Sequence, residues 1–461
     1  MFIRVHSWPN VFFMPASIVI VGGGITGLST AYYLAKAGVP STLIEKRPRL
    51  GGVIQTERID GCLVEGGPDS FLSAKPWAME LISELDLEGE VIGSNDHLRK
   101  TFIRKNGSLV PMPDGLQFLI PTRIAPILTS PLLSWRTKAR MSMEWFRKPP
   151  AARRPDCSVA EFVAGHYGQE AVDYLAEPLL AGVYGGTPES LGVASVLPRF
   201  VELESKYGSL SKGILAQRRA APAPAQPIFR TLKCGLGSLV DALARSIKGK
   251  SKTIHGEVEA IERSGQGYRL RVSGDWIAAS QVALACESHA SAHLVRAIDP
   301  ILADQLTEIP YTSSTVVAMG FDPASFRRPL KGFGFLIPRC ERRRVVACTF
   351  MGTKFPFRVP ENRILLRCFV GGSSDDESLL PAVLEELRDS IGLTGDPIFS
   401  RVYRWPLSMA QYTVGHQERV SAIEVRLRLL PGLFLGGNAY HGIGIPDCIR
   451  MGRQLAGSIV Y

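Results

Sequence analysis

Ile18-Val-Ile-Val21, Gly22-Gly-Gly-Ile-Thr-Gly27, a run from Leu28 to Ala37 closed by Gly38, then Ser41 to Ile44 and Glu45: this stretch decides the fold. Its spacing predicts strand, glycine turn, amphipathic helix and second strand, a βαβ unit of ordinary length. Gly22 permits the tight turn, Gly24 lets a pyrophosphate approach the backbone, and Gly27 lets helix and strand pack closely. Gly23, Ile25 and Thr26 complete the loop. The helix N-terminus presents unpaired N–H groups that suit phosphate. Glu45 ends the second strand, 18 residues beyond Gly27, where a carboxylate can accept hydrogen bonds from a ribose. G-x-G-x-x-G alone does not distinguish this from a plain glycine turn; the strand, helix, second strand and acid in sequence do.

Working outward, Arg49-Leu-Gly51-Gly52 follows just after that acid. The extension resembles flavoproteins rather than nicotinamide dehydrogenases. Its glycines would bring backbone close to the dinucleotide, and Arg49 would place positive charge near the pyrophosphate. At the other end of the chain, Leu433 to Leu435 reads as a short buried strand. Gly436 to Gly444 is a glycine-rich turn, and a helix starts at Ile445 with Pro446 near its first position and Asp447 in its first turn. This second helix N-terminus could face a negatively charged ring edge or a phosphate; the bland alternative is a strand-to-helix turn.

The chain has 461 residues, which at roughly 150 per domain suggests about three domains or one with insertions. Its 45% hydrophobic and 21% charged residues, with 45 Gly and 32 Pro in no short period, exclude disorder, collagen and coiled coil as the main architecture. A net charge of +10 favours an acidic partner: anionic lipid, nucleic acid or a carboxylate-bearing substrate. Eight cysteines without a C-x-x-C pair give neither a disulfide framework nor a zinc site and suggest a reducing compartment. The nearest candidate for a membrane span, Ile124 to Trp135, is twelve residues long and broken by Pro126 and Pro131. It is too short to cross a bilayer. The opening MFIRVHSWPNVFF resembles a weak signal peptide interrupted by Pro9 and reads as an N-terminal extension, with Met14 a second candidate start.

Residues 95 to 220 read as mostly helical. Between His97 and Arg154 stand twelve Lys or Arg against only Asp114 and Glu144, interleaved with apolar residues such as Phe118, Leu128, Trp135, Met143 and Phe146. That mixture suits a monotopic membrane surface, and equally a helical subdomain with its own core and solvated charges. Arg218 to Pro227 reads as an exposed Ala/Pro loop. A helix from Ser238 to Ile247 and strands from Glu257 to Arg263 and Tyr268 to Ser273 restore an α/β pattern. Ser314 to Phe321, Phe333 to Pro338, Val345 to Phe350 and Ile364 to Val370 predict an antiparallel sheet that could cover a planar ligand.

Several landmarks resemble one family, the FAD-dependent protoporphyrinogen oxidases within the wider monoamine oxidase and phytoene desaturase group, over nearly the whole chain from about Pro15. They are Glu65-Gly-Gly67-Pro-Asp69-Ser-Phe71, Leu180-Ala-Gly182-Val-Tyr184-Gly185, Gly332-Phe-Gly334-Phe-Leu336, Arg404-Trp-Pro406 with Gln411-Tyr412, and Gly437-Asn-Ala-Tyr440 followed by Asp447-Cys448. The resemblance implies an α/β fold. It comprises a Rossmann-like FAD-binding domain (14–94, 228–298 and 401–461), an inserted helical, basic, membrane-associated domain (95–227) and an antiparallel-sheet substrate domain (299–400). It implies FAD contacts from Gly22 to Gly27, Glu45, Arg49, Gly51, Gly52, Val53, Gly67, Pro68, Asp69, Ser70, Val258, Trp405, Ile443, Gly444 and Ile445. The FAD would be non-covalent, because the C-terminal turn has no cysteine. For the porphyrinogen it implies the carbonyl of Gly182 near pyrrole nitrogens, with Phe333, Leu336 and Thr349 against the macrocycle; on their own these read as core strand residues. Two departures stand out. Thr101 occupies the place where eukaryotic members usually carry an arginine for a substrate propionate, leaving Arg99, Lys100 and Arg104 as nearby cations. Pro446 precedes Asp447 where the family commonly has Asn.

The implied activity is six-electron oxidation of protoporphyrinogen IX to protoporphyrin IX in haem biosynthesis, by hydride transfer from a meso carbon to flavin N5, with dioxygen as acceptor. The runner-up is coproporphyrinogen III oxidation to coproporphyrin III; from another class, a non-catalytic carrier like the Rab GDP-dissociation inhibitors. No metal site and no general base is expected, and His441 reads as a turn residue. The expected setting is cytoplasmic, peripheral to the inner face of the cell membrane. Candidate partners are the porphyrinogen, dioxygen, an anionic membrane surface, ferrochelatase and a second copy of the chain, with no nucleic acid.

Overall fold

The computed structural model describes residues 17–151, 155–220, 226–371 and 377–461. The N-terminal extension through Ala16, with the alternative start at Met14, and the middle of the Ala/Pro loop at 221–225 lie outside the described residues.

Ile18–Val21 lies at the centre of a five-stranded parallel sheet, flanked by Ser41–Glu45 and then Ser251–His255 on one side, and by Gln281–Leu284 and Leu433–Leu435 on the other. All four residues of the central strand are buried. That fits its continuous β-branched run, because a parallel sheet is covered on both faces. The helix Ile25–Lys36 packs against Gly237–Ile247 and against the C-terminal helix Ile445–Val460. The last crossing is close: a Cβ on Gly452 would stand 2.6 Å from the Thr26 carbonyl oxygen. The strands at 18–21, 41–45 and 433–435 run in the same direction, so the loops after them gather at one end, where open α/β sheets bind ligands.

A second, seven-stranded sheet has the order Phe399–Ala410, Tyr311–Phe321, Ile364–Gly371, Val345–Phe350, Gly334–Leu336, Thr101–Lys105 and Ser108–Pro111. Every pairing is antiparallel except that of Gly334–Leu336 with Thr101–Lys105. This corrects the reading of residues 95 onward as helical. Asn106 and Gly107 have φ of 51° and 74° and turn a two-residue hairpin between the last two strands. Asn-Gly is the preferred pair for such a turn, because both central residues need positive φ. The strand Phe399–Ala410 likewise straddles the expected boundary at 401 and belongs to this sheet.

Helices follow from Ile124 to Ala220. One of them, Val159–Tyr167, is opened by a capping box in which Ser158 and Glu161 satisfy each other's backbone donors. Of the Ala/Pro run expected to be loop, Arg218 to Ala220 end the helix Leu210–Ala220. Among the described residues no helix is long and apolar enough to cross a membrane.

Candidate active site

The glycine turn after Ile18–Val21 is shaped by close backbone approaches. A Cβ on Gly27 would lie 1.9 Å from the Gly22 carbonyl oxygen, and Gly22 itself has φ 107°. Glu45 is buried, and its carboxylate accepts from the N–H of Gly23 at 2.6 Å and of Arg47 at 2.8 Å. Gly51 donates to the Gly23 carbonyl at 2.8 Å, and Gly52 sits over Gly24. Gly24, by contrast, has nothing within 4 Å of where its Cβ would be. The loop is therefore packed on three sides and open beside the first turn of the helix, whose leading N–H groups have no intrahelical acceptors. That cradle fits a diphosphate. Arg49 serves the cradle indirectly: its guanidinium donates to the carbonyls of Gly52 at 2.7 Å and Ile54 at 2.9 Å, fixing the second glycine loop. Val258 is buried near Glu45, whose carbonyl accepts from the Gly256 N–H at 3.0 Å.

The segment Glu65 to Ser70 joins the strand Cys62–Glu65 of a small two-stranded sheet to the strand Phe71–Leu72 of a three-stranded one. A Cβ on Gly67 would stand 1.9 Å from the Val53 carbonyl oxygen. Trp405 Nε1 donates to the Gly66 carbonyl at 2.8 Å, while Arg47 and Arg49 lie 5.5 and 5.6 Å from its ring centre. Arg367 donates to the Gly67 carbonyl and, at 3.0 Å, to Asp69. Lys354 Nζ reaches both Asp69 oxygens at 2.9 Å, and Ser70 Oγ donates to one of them at 2.6 Å. Burial alone would raise the Asp69 pKa, yet Lys354, Arg367 and these hydrogen bonds outweigh it and hold the carboxyl well below its usual range. At Glu65 the balance reverses: burial outweighs Arg358, 3.0 Å away, and the pKa is raised.

The C-terminal glycine turn is bolted from behind. Tyr412 Oη donates to the Asn438 carbonyl at 2.9 Å and accepts from the Gly442 N–H at 2.7 Å, while Asn438 Nδ2 donates to the Ser408 carbonyl at 2.9 Å. The Tyr412 ring stacks on His416 with centres 3.9 Å apart, and burial lowers the His416 pKa to about 4. Ile443, Gly444 and Ile445 open the last helix, where Asp447 pairs with Lys75 at 2.5 Å. His441 points outward and bonds Glu424 at 2.8 Å, half exposed, so it stands apart from the turn's inner side.

Of the residues assigned to the macrocycle, Leu336 and Thr349 share one face of the larger sheet, while Phe333 stands just before the strand Gly334–Leu336. Gly182, in the helix Glu177–Tyr184, approaches Leu336, whose Cδ2 is 3.9 Å from the Gly182 Cβ position. Thr349 pairs with Gly334, and the Phe333 carbonyl accepts from the Phe350 N–H at 2.8 Å. Phe335 and Cys348 alternate onto the opposite face and join the core beneath. Arg104 is not available to a substrate carboxylate: it is buried, 3.8 Å from Glu386 and bonded to Ser390. Arg99 and Lys100 are exposed beside Thr101. Lys75, Lys354, Arg358 and Arg367 were not singled out from sequence, and Tyr412 stood there as a landmark without a role. Arg367 did carry a signal: it is a lone cation in the apolar strand Ile364-Leu-Leu-Arg367-Cys-Phe-Val370.

The family described as flavin containing amine oxidoreductase matches residues 25–460. The chain belongs to this family. Flavin is accordingly its cofactor, and the glycine cradle, Glu45 and the C-terminal turn fit an FAD. The chain is 35% identical to coproporphyrinogen III oxidase of Bacillus subtilis (strain 168), over 95% of this chain and 96% of that protein. It is 26% identical to protoporphyrinogen oxidase 2, chloroplastic/mitochondrial, of Arabidopsis thaliana, over 96% and 93%. A solved structure from Exiguobacterium sp. 255-15 superposes with a TM-score of 0.86 at 31% identity, over 97% of this chain and 99% of that one.

Proposed function

We propose that this flavoprotein is a porphyrinogen oxidase that takes coproporphyrinogen III to coproporphyrin III, with FAD held non-covalently and dioxygen as acceptor. The observation that carries the reading is the end-to-end similarity to the Bacillus subtilis enzyme, which exceeds that to the Arabidopsis one. This reading puts first the porphyrinogen that the sequence resemblance put second. Protoporphyrinogen IX remains the second reading, supported by the similarity to the Arabidopsis enzyme along 96% of this chain.

The flavin supplies two-electron oxidation when bound, and the protein supplies binding, orientation and exclusion of water. Glu45 and the loops at Gly22–Gly27 and Gly51–Gly52 hold the nucleotide. The backbone of Gly67 to Ser70 and of Ile443 to Ile445, each braced from behind, presents fixed amide dipoles to the ring. Gly182, Phe333, Leu336 and Thr349 would line the porphyrinogen site. The test is anaerobic reduction of the bound flavin by each porphyrinogen in turn: the reading expects faster bleaching by coproporphyrinogen III. Equal or faster bleaching by protoporphyrinogen IX favours the second reading.

The same proposal places the protein peripherally on an anionic membrane, at the inner face of the cell. Trp135, Met143 and Phe146 are 71%, 64% and 77% exposed, beside exposed Arg136, Arg140 and Lys148. Apolar side chains of that size ringed by cations suit a headgroup region. Binding to anionic vesicles should weaken with salt and with Trp135→Ala/Phe146→Ala; no binding at low salt contradicts it.

A further inference from the structure

Behind the loop Gly66 to Ser70 the buried charges do not balance. Arg358 and Glu65, both with fully buried side chains, form one pair at 3.0 Å. Asp69 alone faces two cations, Arg367 at 3.0 Å and Lys354 at 2.9 Å, and the three side chains are 10%, 0% and 12% exposed. Among the described residues two carboxylates thus meet three cations in these ion pairs, an excess of one positive charge. Buried charge without a counter-ion is unfavourable unless some anion completes the site. Arg367 Nε, moreover, is buried with no hydrogen-bond partner among the described residues.

The position of this excess charge matters. Arg367 bonds the carbonyl of Gly67 and lies directly across the strand pair from Thr349. The charge therefore sits under the loop that, on the reading above, carries the flavin ring. An oxidised isoalloxazine is neutral, whereas the two-electron reduced ring readily loses its N1 proton and becomes an anion. A fixed cation in a site of low dielectric favours the anion over the neutral form.

We propose that Arg367, seated with Lys354 on Asp69, is a positioning residue whose unneutralised charge raises the reduction potential of the bound flavin. The inference rests on the flavin reading and adds a role that bracing of the loop alone would not give. Removing either cation would leave Asp69 with a single partner and the cluster neutral.

The experiment compares the flavin-loaded wild type with Arg367→Met, Arg367→Lys and Lys354→Met, measuring the midpoint potential against reference dyes and the affinity for sulfite, which adds to electron-poor flavins. The expected result is a more negative potential and a sulfite affinity lower by about tenfold in both methionine variants, with Arg367→Lys near wild type. Unchanged potential and sulfite affinity in Lys354→Met overturn the proposal, and that variant decides alone if Arg367→Met does not retain flavin. A wild-type protein that takes up no flavin would instead overturn the reading beneath it.

Discussion

Gly67→Ala perturbs the site at one atom. The added methyl carbon would stand 1.9 Å from the Val53 carbonyl oxygen, whereas real Cβ contacts essentially never fall below 3.0 Å. The two segments must therefore part by about 1 Å, a displacement large enough to disturb a site's geometry. Neither has slack. Gly66 is held at both ends, by its N–H to Gln55 and by Trp405 on its carbonyl, and Arg367 holds the Gly67 carbonyl. On the other side Arg49 holds the carbonyls of Gly52 and Ile54. Overpacking of this kind costs about 1–3 kcal/mol, and losing one of these hydrogen bonds adds about 1 kcal/mol. If the flavin-bound state bears about 2 kcal/mol of that, affinity for FAD falls about thirtyfold. The assay is the ratio of flavin to protein absorbance after dialysis, with melting temperature measured with and without added FAD. Gly165→Ala is the control, because nothing lies within 4 Å of its Cβ position in the helix Val159–Tyr167. A Gly67→Ala protein with wild-type flavin content and melting temperature would refute the reasoning.

Tyr412→Phe removes the donor to Asn438 and leaves the Gly442 N–H without its acceptor, so we expect FAD to dissociate about tenfold more readily with little change in global stability; titration of apoprotein with FAD checks it. His416, lowered to about 4 by burial, is neutral in the fold and takes up a proton on unfolding below its ordinary value of 6.5. Its contribution to stability is thus complete above pH 6.5 and is lost as pH falls toward 4, by at most about 3 kcal/mol. Urea midpoints at pH 7 and pH 5 should converge in His416→Phe, and an undiminished pH slope there would count against the assignment. Glu65→Leu strands the fully buried Arg358 and should destabilise by about 3–5 kcal/mol, whereas Glu65→Leu with Arg358→Met should recover most of the loss, read by chemical denaturation.

Features that depend on backbone geometry were legible in the sequence. Gly22, Gly27 and Glu45 occupy positions where only a residue of that shape or charge serves, so their spacing carries the meaning without knowledge of the rest of the chain. The hairpin at Asn106-Gly107 was legible by the same logic, yet the basic composition around it outweighed the turn signal and made the whole segment read as helical. The charge cluster could not be read. Arg367 is a visible anomaly in an apolar strand, but its partner Asp69 lies 298 residues away and only the tertiary fold brings the two together. Tyr412 likewise owes its place to a turn 26 residues later. Gly182, Phe333, Leu336 and Thr349 carry no chemistry that distinguishes a pocket wall from a core; their grouping came from the resemblance, and the shared face of Leu336 and Thr349, with Gly182 against Leu336, from the structure.

The account depends on a flavin set against a porphyrinogen, and one optical experiment addresses both. Protein reconstituted with FAD is mixed with coproporphyrinogen III in the absence of oxygen, and the flavin absorbance is followed. The account predicts bleaching within the time of mixing, as the bound flavin takes two of the six electrons, and, when air is admitted, return of the colour together with growth of porphyrin fluorescence. A flavin band that persists unchanged in the presence of coproporphyrinogen III and of protoporphyrinogen IX would contradict it.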